Sequence, residues 1–511
     1  MKVGICINKE DFFYDLHSLV KAFFPDDEVQ IFSVSDTEKA NVPRDLRIEV
    51  EIPDYVDRTE AKNDLKRELY RTLSAYTGRK LPWGTLSGIR PTKIPMKLME
   101  EGKGRDEILS YLKETYLVSD EKAELALQVA ENERRILEAV GLQPYVEESQ
   151  NVTQTTCHSE RSEESREVSD VSDGILRRFA PQNDSPFCLY AHIPFCPSIC
   201  LYCTFSASPT DAWARRTDEY LDVLLSEMQR GAERDLSEGK SLTPLVFYIG
   251  GGTPTALTAS QLDRLLTETA KIYDLSKLHE YTVEAGRPDS IDREKLRILK
   301  DHGVGRISVN PQTMNQRTLD LIGRRHTVLD TQRAFTLARE EGFDNINMDI
   351  ILGLPGEEPE DVRHTCEAIC QMRPDELTVH SLAVKRASRL TKTLREAFEA
   401  GKIEDMSRYE GLSFQNSEEI IGLAYGAARQ MGMEPYYLYR QKNMKGGLEN
   451  TGFALPGKEG LYNILIMEEL TDIRAYGAGA SSKYLFEGGR IERVVNPKDV
   501  KTYLERFGNK E

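Results

Sequence analysis

The stretch His192-Ile193-Pro194-Phe195-Cys196-Pro197-Ser198-Ile199-Cys200-Leu201-Tyr202-Cys203 puts three cysteines into eight residues, directly after the apolar run Leu189–Ile193. A short apolar run that ends at a proline turn reads as a buried strand. Five more such runs follow it: Leu245–Ile249, Tyr281–Glu284, Arg306–Val309, Ile346–Ile350 and Glu376–His380. Helical stretches lie between them: Thr217–Arg234, Ser260–Tyr273, Arg293–His302, Asp330–Gly342 and Pro359–Met372. Strands that alternate with helices through six repeats imply an α/β fold with a parallel sheet. In barrels of this kind the chemistry sits in the loops after the strand C-termini. The cysteine loop occupies the first of those positions.

The cysteine spacing is CxxxCxxC. Thiolates are soft ligands suited to iron–sulfur clusters. Three on one tight loop can hold three irons of a [4Fe–4S] cube and leave the fourth open. An open iron can chelate the amino and carboxylate groups of S-adenosylmethionine (SAM). Structural zinc is the alternative, with His192 as the nearest fourth ligand, but zinc sites favour CxxC pairs. Tyr202, just before the third cysteine, is placed to pack on an adenine or simply to fill the loop.

The remaining strand ends are unusual too. Gly250-Gly251-Gly252-Thr253-Pro254-Thr255 follows the second strand, and glycine permits close backbone approach and positive φ. Glu284 ends the third strand, Gln312 follows the fourth in Asn310-Pro311-Gln312-Thr313, and Asp349 lies at the end of the fifth. Each alone could cap a loop. Polar groups at three successive strand ends favour a ligand with hydroxyl or amino groups.

The chain has 511 residues and a formal net charge of −17, with no strongly basic half, which argues against a nucleic-acid partner. Against this field, Gly323-Arg324-Arg325-His326 and Lys385-Arg386-Ala387-Ser388-Arg389 are local basic clusters after strands. Arg324, Arg325, Arg386 and Arg440 are candidate partners for substrate carboxylates, which arginine can grip with two hydrogen bonds. Eight cysteines are too few for a disulfide scaffold in a chain this long. Cys366 and Cys370, at i and i+4 on a helix, read as core thiols. No run of 18 apolar residues exists and Met1–Glu10 lacks a signal-peptide layout, so the expectation is a cytoplasmic protein without a membrane span.

Four segments are expected. Residues 1–146 read as a small α/β unit joined to helices, with strands Lys2–Asn8 and Leu46–Pro53 and helices Thr59–Tyr76, Arg105–Tyr116 and Ser119–Val140. Residues 147–186 are a polar, low-complexity linker or insertion that cannot bury enough surface to order itself. Residues 187–389 carry the six repeats. Residues 390–511, with a helix near Ser417–Met431 and the run Tyr436-Tyr437-Leu438-Tyr439-Arg440, read as an accessory domain over the sheet's mouth.

Taken together, His192–Cys196, Gly250–Thr255, Arg306–Gln312, Gly323–His326, Asp349 with Gly353–Pro355, Val379–Leu382, Pro435–Asn443 and Leu81–Lys93 resemble a known family. The chain is similar to the oxygen-independent coproporphyrinogen III oxidase family of radical-SAM enzymes, and specifically to its longer branch, the coproporphyrinogen dehydrogenases with an extra N-terminal domain. The resemblance covers nearly the whole chain except Glu147–Pro186. It implies a partial (β/α)6 barrel with a [4Fe–4S] cluster that a reduced flavodoxin- or ferredoxin-like carrier supplies with electrons. It implies cleavage of SAM to a 5′-deoxyadenosyl radical, hydrogen abstraction from coproporphyrinogen III propionates, and loss of carbon dioxide and one electron to leave vinyl groups. The product would be protoporphyrinogen IX. By matching position, Cys196, Cys200 and Cys203 would hold the cluster. Tyr190, Gly251, Gly252, Thr253, Glu284, Gln312 and Asp349 would contact SAM, and Gly477–Ala480 a cofactor or substrate. The best-established oxidases carry a fourth cysteine two residues after the third; here that position is Phe205. Heme-binding relatives also lack it, so a heme-delivery protein that keeps the cluster is the alternative function.

Overall fold

The computed structural model describes residues 1–9, 11–25, 27–33, 45–88, 90–142, 186–203, 206–382, 417–440, 448–486 and 489–508. Arg386, Phe205 and residues 147–185 of the expected linker therefore lie outside the described residues. The N-terminal strands β1 (Lys2–Ile7), β2 (Glu28–Ser33) and β3 (Leu46–Val50) form a parallel sheet in the order β2-β1-β3. Val3, Ile5 and Ile7 of β1 pack with Leu16 of helix Phe13–Phe23 and with Leu69 and Leu73 of helix Arg58–Thr77. That second helix begins where the Asp57 carboxylate accepts from the Thr59 and Glu60 amides, and it stops at Gly78, whose φ of 68° suits glycine. Strand β2 and helices Phe13–Phe23 and Lys93–Glu100 go beyond the expected elements.

The large sheet contains β4 (Phe187–Ile193), β7 (Val246–Gly251), β8 (Glu280–Val283), β9 (Arg306–Ser308), β10 (Ile346–Leu352) and β11 (Glu376–Ser381), all parallel and in that spatial order. Two-residue strands β5 (Phe195–Cys196) and β6 (Ser208–Pro209) pair separately within the cysteine loop. All six expected strands are present. The sheet does not close among the described residues. Strands from the C-terminal part continue it at both edges. Beyond β11 lie β13 (Glu449–Ala454) and β12 (Glu434–Arg440), and beyond β4 lie β14 (Asp472–Tyr476), β15 (Ser481–Leu485) and β16 (Ile491–Val495). The described residues after 389 are thus woven into the same sheet.

The two faces of the six parallel strands differ sharply. Phe187, Leu189, Phe247, Ile249, Val283, Ile307, Met348 and Val379 point to the covering helices and share one core with them. The alternate residues form a polar face: Tyr190, His192, Tyr248, Glu280, Glu284, Arg306, Asn347, Asp349, Glu376 and Thr378 follow the two-residue period on register-matched strands. Parallel strands are ordinarily apolar on both faces. Here the lower half of the polar face is satisfied internally. Arg306 grips Glu376 with Nε–Oε1 2.5 Å and Nη2–Oε2 2.8 Å, and Tyr436 donates to Glu376 at 2.9 Å. Helix Leu461–Glu468 plugs this end, its Tyr462 amide donating to Glu280 at 2.9 Å. Among the described residues, the upper end, where the strands terminate, is left for a ligand.

The N-terminal part is anchored to this sheet by a buried charge network. Lys122 Nζ lies 2.6 Å from Glu449 Oε1, Trp83 Nε1 donates to Glu449 Oε2 at 2.7 Å, and Tyr425 donates to Oε1 at 2.7 Å. Trp83, Ile108, Leu112 and Leu125 belong to the same hydrophobic core as the barrel. Arg90 donates to the Met467 carbonyl and pairs with Glu469 at 2.6 Å, holding the C-terminal end of the plug helix. Among the described residues no helix is long and apolar enough to cross a membrane.

Candidate active site

The cysteine loop is braced from several sides. Leu201 donates its amide to Ile322 at 3.0 Å, the Cys203 amide closes a turn on the Cys200 carbonyl at 3.1 Å, and Ser198 Oγ donates to Gly323 at 3.0 Å. Cys200 is buried, while Cys196 and Cys203 are half-buried. Burial pushes the Cys196 thiol up to about 11, and the charges of nearby Cys200 and Cys203 add to this. Without a cation Cys196 therefore keeps its proton, and a bound metal would take that proton's place. No three His, Cys, Asp or Glu side chains among the described residues converge on a single-ion site, the arrangement zinc requires. Ligands of a cube need not converge, because each binds a different iron.

The glycine run stands against this loop. Cys196 Sγ lies 3.4 Å from Thr253 Oγ1, and the Gly252 amide donates to Ile193 at 2.8 Å. Gly251 has a φ of 109°, and a Cβ there would fall 2.6 Å from the His192 ring. A Cβ on Gly252 would meet the Phe195 carbonyl at 2.8 Å. Both close approaches demand glycine.

Behind the glycines sit the strand-end polar groups. Tyr248 donates to Glu284 Oε1 at 2.7 Å. Burial lifts Glu284 to about 7, with the Asp349 charge adding to the rise. Asn310 and Asn347 donate to Asp349 at 2.7 and 2.8 Å, and His380 Nε2 lies 3.8 Å away. Burial would raise Asp349, but the nearby His380, the Asn347 hydrogen bond and the Arg306 charge together outweigh it and hold the carboxyl below its usual range. Gln312 is tied to the same place: its amide donates to the Asp349 carbonyl at 2.9 Å and its carbonyl accepts from Ile351 at 2.9 Å. Its φ of 66° is left-handed. For a non-glycine residue such a conformation costs ~1–3 kcal/mol and persists where surrounding structure enforces it, as at ligand sites. Tyr248 and Tyr462 stack on each other at 4.4 Å, and Tyr190 lies beside the pair, 6.1 Å from each, reaching His192 Nδ1 at 3.3 Å. Burial pushes His192 down to about 4, so its ring is neutral, and its Nε2 has no partner among the described residues.

The structure therefore brings together Cys196, Thr253, Gly251, Gly252, Glu284, Asp349, Gln312 and Tyr190. Tyr202 lies to one side, packed on Ile351 and Leu354 beside Arg324. The expected carboxylate-binding arginines do not gather around this mouth. Arg324 is buried, donating to the Asn310 carbonyl at 2.6 Å and meeting Tyr202 and Cys200, because the turn after Gly323 folds it under the loop. Arg440 donates to the Leu86 carbonyl at 2.7 Å and covers the Trp83 ring. Arg325 is exposed on a cavity of about 580 Å³ lined also by Pro197, Ile199 and Asp211. Sequence reasoning did not single out Asn310, Tyr248 and His380 as site residues. The alternation of Tyr248 with Gly250 and of Thr378 with His380 was the signal that could have placed them on the polar face.

Thiols on one loop, a glycine cradle that a Cβ would fill, and an orphaned buried imidazole nitrogen fit an iron–sulfur cluster with a nucleoside beside it. If Glu284 accepts hydrogen bonds from that nucleoside, its ionised form, which accepts at both oxygens, serves best. Affinity for SAM is then expected to rise between pH 6 and pH 8, through the carboxyl's value of about 7. Glu284→Gln should weaken binding roughly tenfold or more, the ~1.5–3 kcal/mol of a hydrogen bond to a charged group, and flatten the pH dependence. Equilibrium dialysis of SAM across that range checks both; a pH-dependent Glu284→Gln variant would refute the role.

Residues 190–369 match the Radical SAM superfamily. The chain is 37% identical over 460 residues to the oxygen-independent coproporphyrinogen-III oxidase-like protein HemZ of Bacillus subtilis, a match covering 89% of this chain and 81% of that protein. It is 32% identical over 315 residues to the heme chaperone HemW of Lactococcus lactis, covering 60% of this chain and 72% of that one. Among solved structures, the radical-SAM coproporphyrinogen III oxidase HemN of Escherichia coli aligns with a TM-score of 0.48 at 24% identity, over 64% of this chain and 71% of that one. By its name, that superfamily works with SAM.

Proposed function

We propose, from the premise that this chain belongs to the radical-SAM family of oxygen-independent coproporphyrinogen-III oxidase-like proteins, that it oxidatively decarboxylates the propionates of coproporphyrinogen III to vinyl groups. The observation that carries the chemistry is the contact of Cys196 with Thr253 at 3.4 Å, which sets a three-cysteine loop against a glycine cradle and a buried carboxyl pair. Cys196, Cys200 and Cys203 would hold the cluster. When bound, cluster and SAM would supply abstraction of a hydrogen atom from a propionate; loss of carbon dioxide would then leave the vinyl group and one electron, which an external one-electron acceptor would have to take. The chain's own residues bind and orient. Gly251 and Gly252 let the backbone approach the nucleoside, and Glu284, Asp349 and Gln312 present acceptors at the strand ends. The clustered Tyr190, Tyr248 and Tyr462 close the floor beneath the strand ends. A flavodoxin- or ferredoxin-like donor would reduce the cluster.

Anaerobic incubation of reconstituted protein with coproporphyrinogen III, SAM and a low-potential reductant should give tri- and then dicarboxylic porphyrinogens. Intact SAM cleavage without those products would overturn the substrate. A second reading, heme delivery, is favoured by the similarity to heme chaperones over 60% of the chain and by Phe205 in place of cysteine. It predicts stoichiometric heme binding, read as a Soret band on titration.

A further inference from the structure

One buried cation has no part in the reading above. Arg287, in the loop after β8, is 3% exposed, so it cannot meet a substrate. Its donors are all spent locally. Nη1 lies 3.0 Å from the Ser198 carbonyl and 3.6 Å from Cys200 Sγ, and Nη2 donates to Ser198 Oγ at 2.9 Å. Nε and Nη2 also hold Asp289 by two hydrogen bonds, at 3.0 and 2.9 Å. The group thus spans from the middle cysteine of the loop to a carboxylate behind it. Beyond Asp289 stands His326, 4.0 Å away and buried. A guanidinium used only to brace a loop would need no sulfur contact, and one used only as an ion pair would need no Ser198.

We propose that Arg287 is a positioning residue that sets the reduction potential of the cluster through Cys200, with Asp289 as its electrostatic counterweight. This rests on Cys200 being a cluster ligand. Hydrogen bonds and positive charge at a ligating thiolate favour the reduced, more negative cluster and raise its potential. The low local dielectric makes one charge at this distance count. Asp289 offsets part of that charge, so the two residues should act in opposite directions. A residue that merely kept the loop folded would not produce opposite shifts.

The test is an EPR-monitored redox titration of the full-length, anaerobically reconstituted chain, with iron and sulfide quantified in each sample. Arg287→Met should move the midpoint to more negative potential at unchanged cluster content. Arg287→Lys, which keeps the charge and loses the fork, should fall between it and the wild type. Asp289→Asn should move the midpoint positive, and it decides the matter if Arg287→Met fails to hold iron. An unchanged midpoint in a fully loaded Arg287→Met, or a negative shift in Asp289→Asn, overturns the proposal while leaving the cluster assignment standing. A wild type without iron and sulfide overturns the cluster assignment itself.

Discussion

Cys196→Ala should abolish SAM cleavage and leave the protein unable to retain a full complement of cluster iron. On the proposed reading the three thiols serve different irons, so no ligand is redundant, and among the described residues no other cysteine stands beside the loop to replace the lost one. Cys188 is buried on β4 with its sulfur 3.4 Å from Thr471 Oγ1, deep under the mouth. Cys366 and Cys370 lie on the helix Pro359–Met372, where Cys370 contacts the Ala427 carbonyl. Cys370→Ala should therefore behave as wild type. Folding should survive the Cys196 change, because that side chain is half-buried and no core cluster depends on it. Iron and sulfide content with chromatographic detection of 5′-deoxyadenosine checks this. Cleavage by Cys196→Ala at the wild-type rate would remove the cysteine loop from the chemistry.

The largest effect on stability is expected at Lys122. Its ammonium and the Glu449 carboxylate are 1% and 0% exposed and 2.6 Å apart, so neither finds water if the other is removed. Lys122→Met should cost about 3–5 kcal/mol, the range for breaking a fully buried pair from one side. The pair also joins a helix from the N-terminal part to strand β13, so the loss should uncouple that part from the sheet rather than loosen one contact. The double variant Lys122→Met/Glu449→Gln should recover much of the loss, since it no longer strands a charge. Urea unfolding midpoints of the two variants measure it. A wild-type midpoint for the single variant would mean the pair is not buried in solution.

The sequence made the six parallel strands legible because each is a short apolar run bounded by turn residues, as at Leu189–Ile193 before Pro194. It made the cysteine loop and the glycine cradle legible because their spacing has few other physical uses. It did not reveal where the last hundred residues go. Strand β14 pairs with β4 and strand β13 with β11, and such long-range pairing leaves no local pattern. The arginines show the same limit. Arg324 and Arg440 read as carboxylate partners in one dimension, yet tertiary packing buries one beneath Cys200's loop and lays the other on Trp83. The polar inner face was half visible. Residues such as Glu280, Thr282 and Glu284 alternate correctly, but which face of a strand looks inward is decided by the helices that cover the other one.

The most direct test is the EPR spectrum of the chemically reduced, anaerobically reconstituted chain, recorded before and after SAM is added. A single [4Fe–4S]⁺ signal whose g values shift with SAM, and which is lost in Cys200→Ala, is the predicted result. Zinc in place of iron, or a cluster signal indifferent to SAM, would contradict the account.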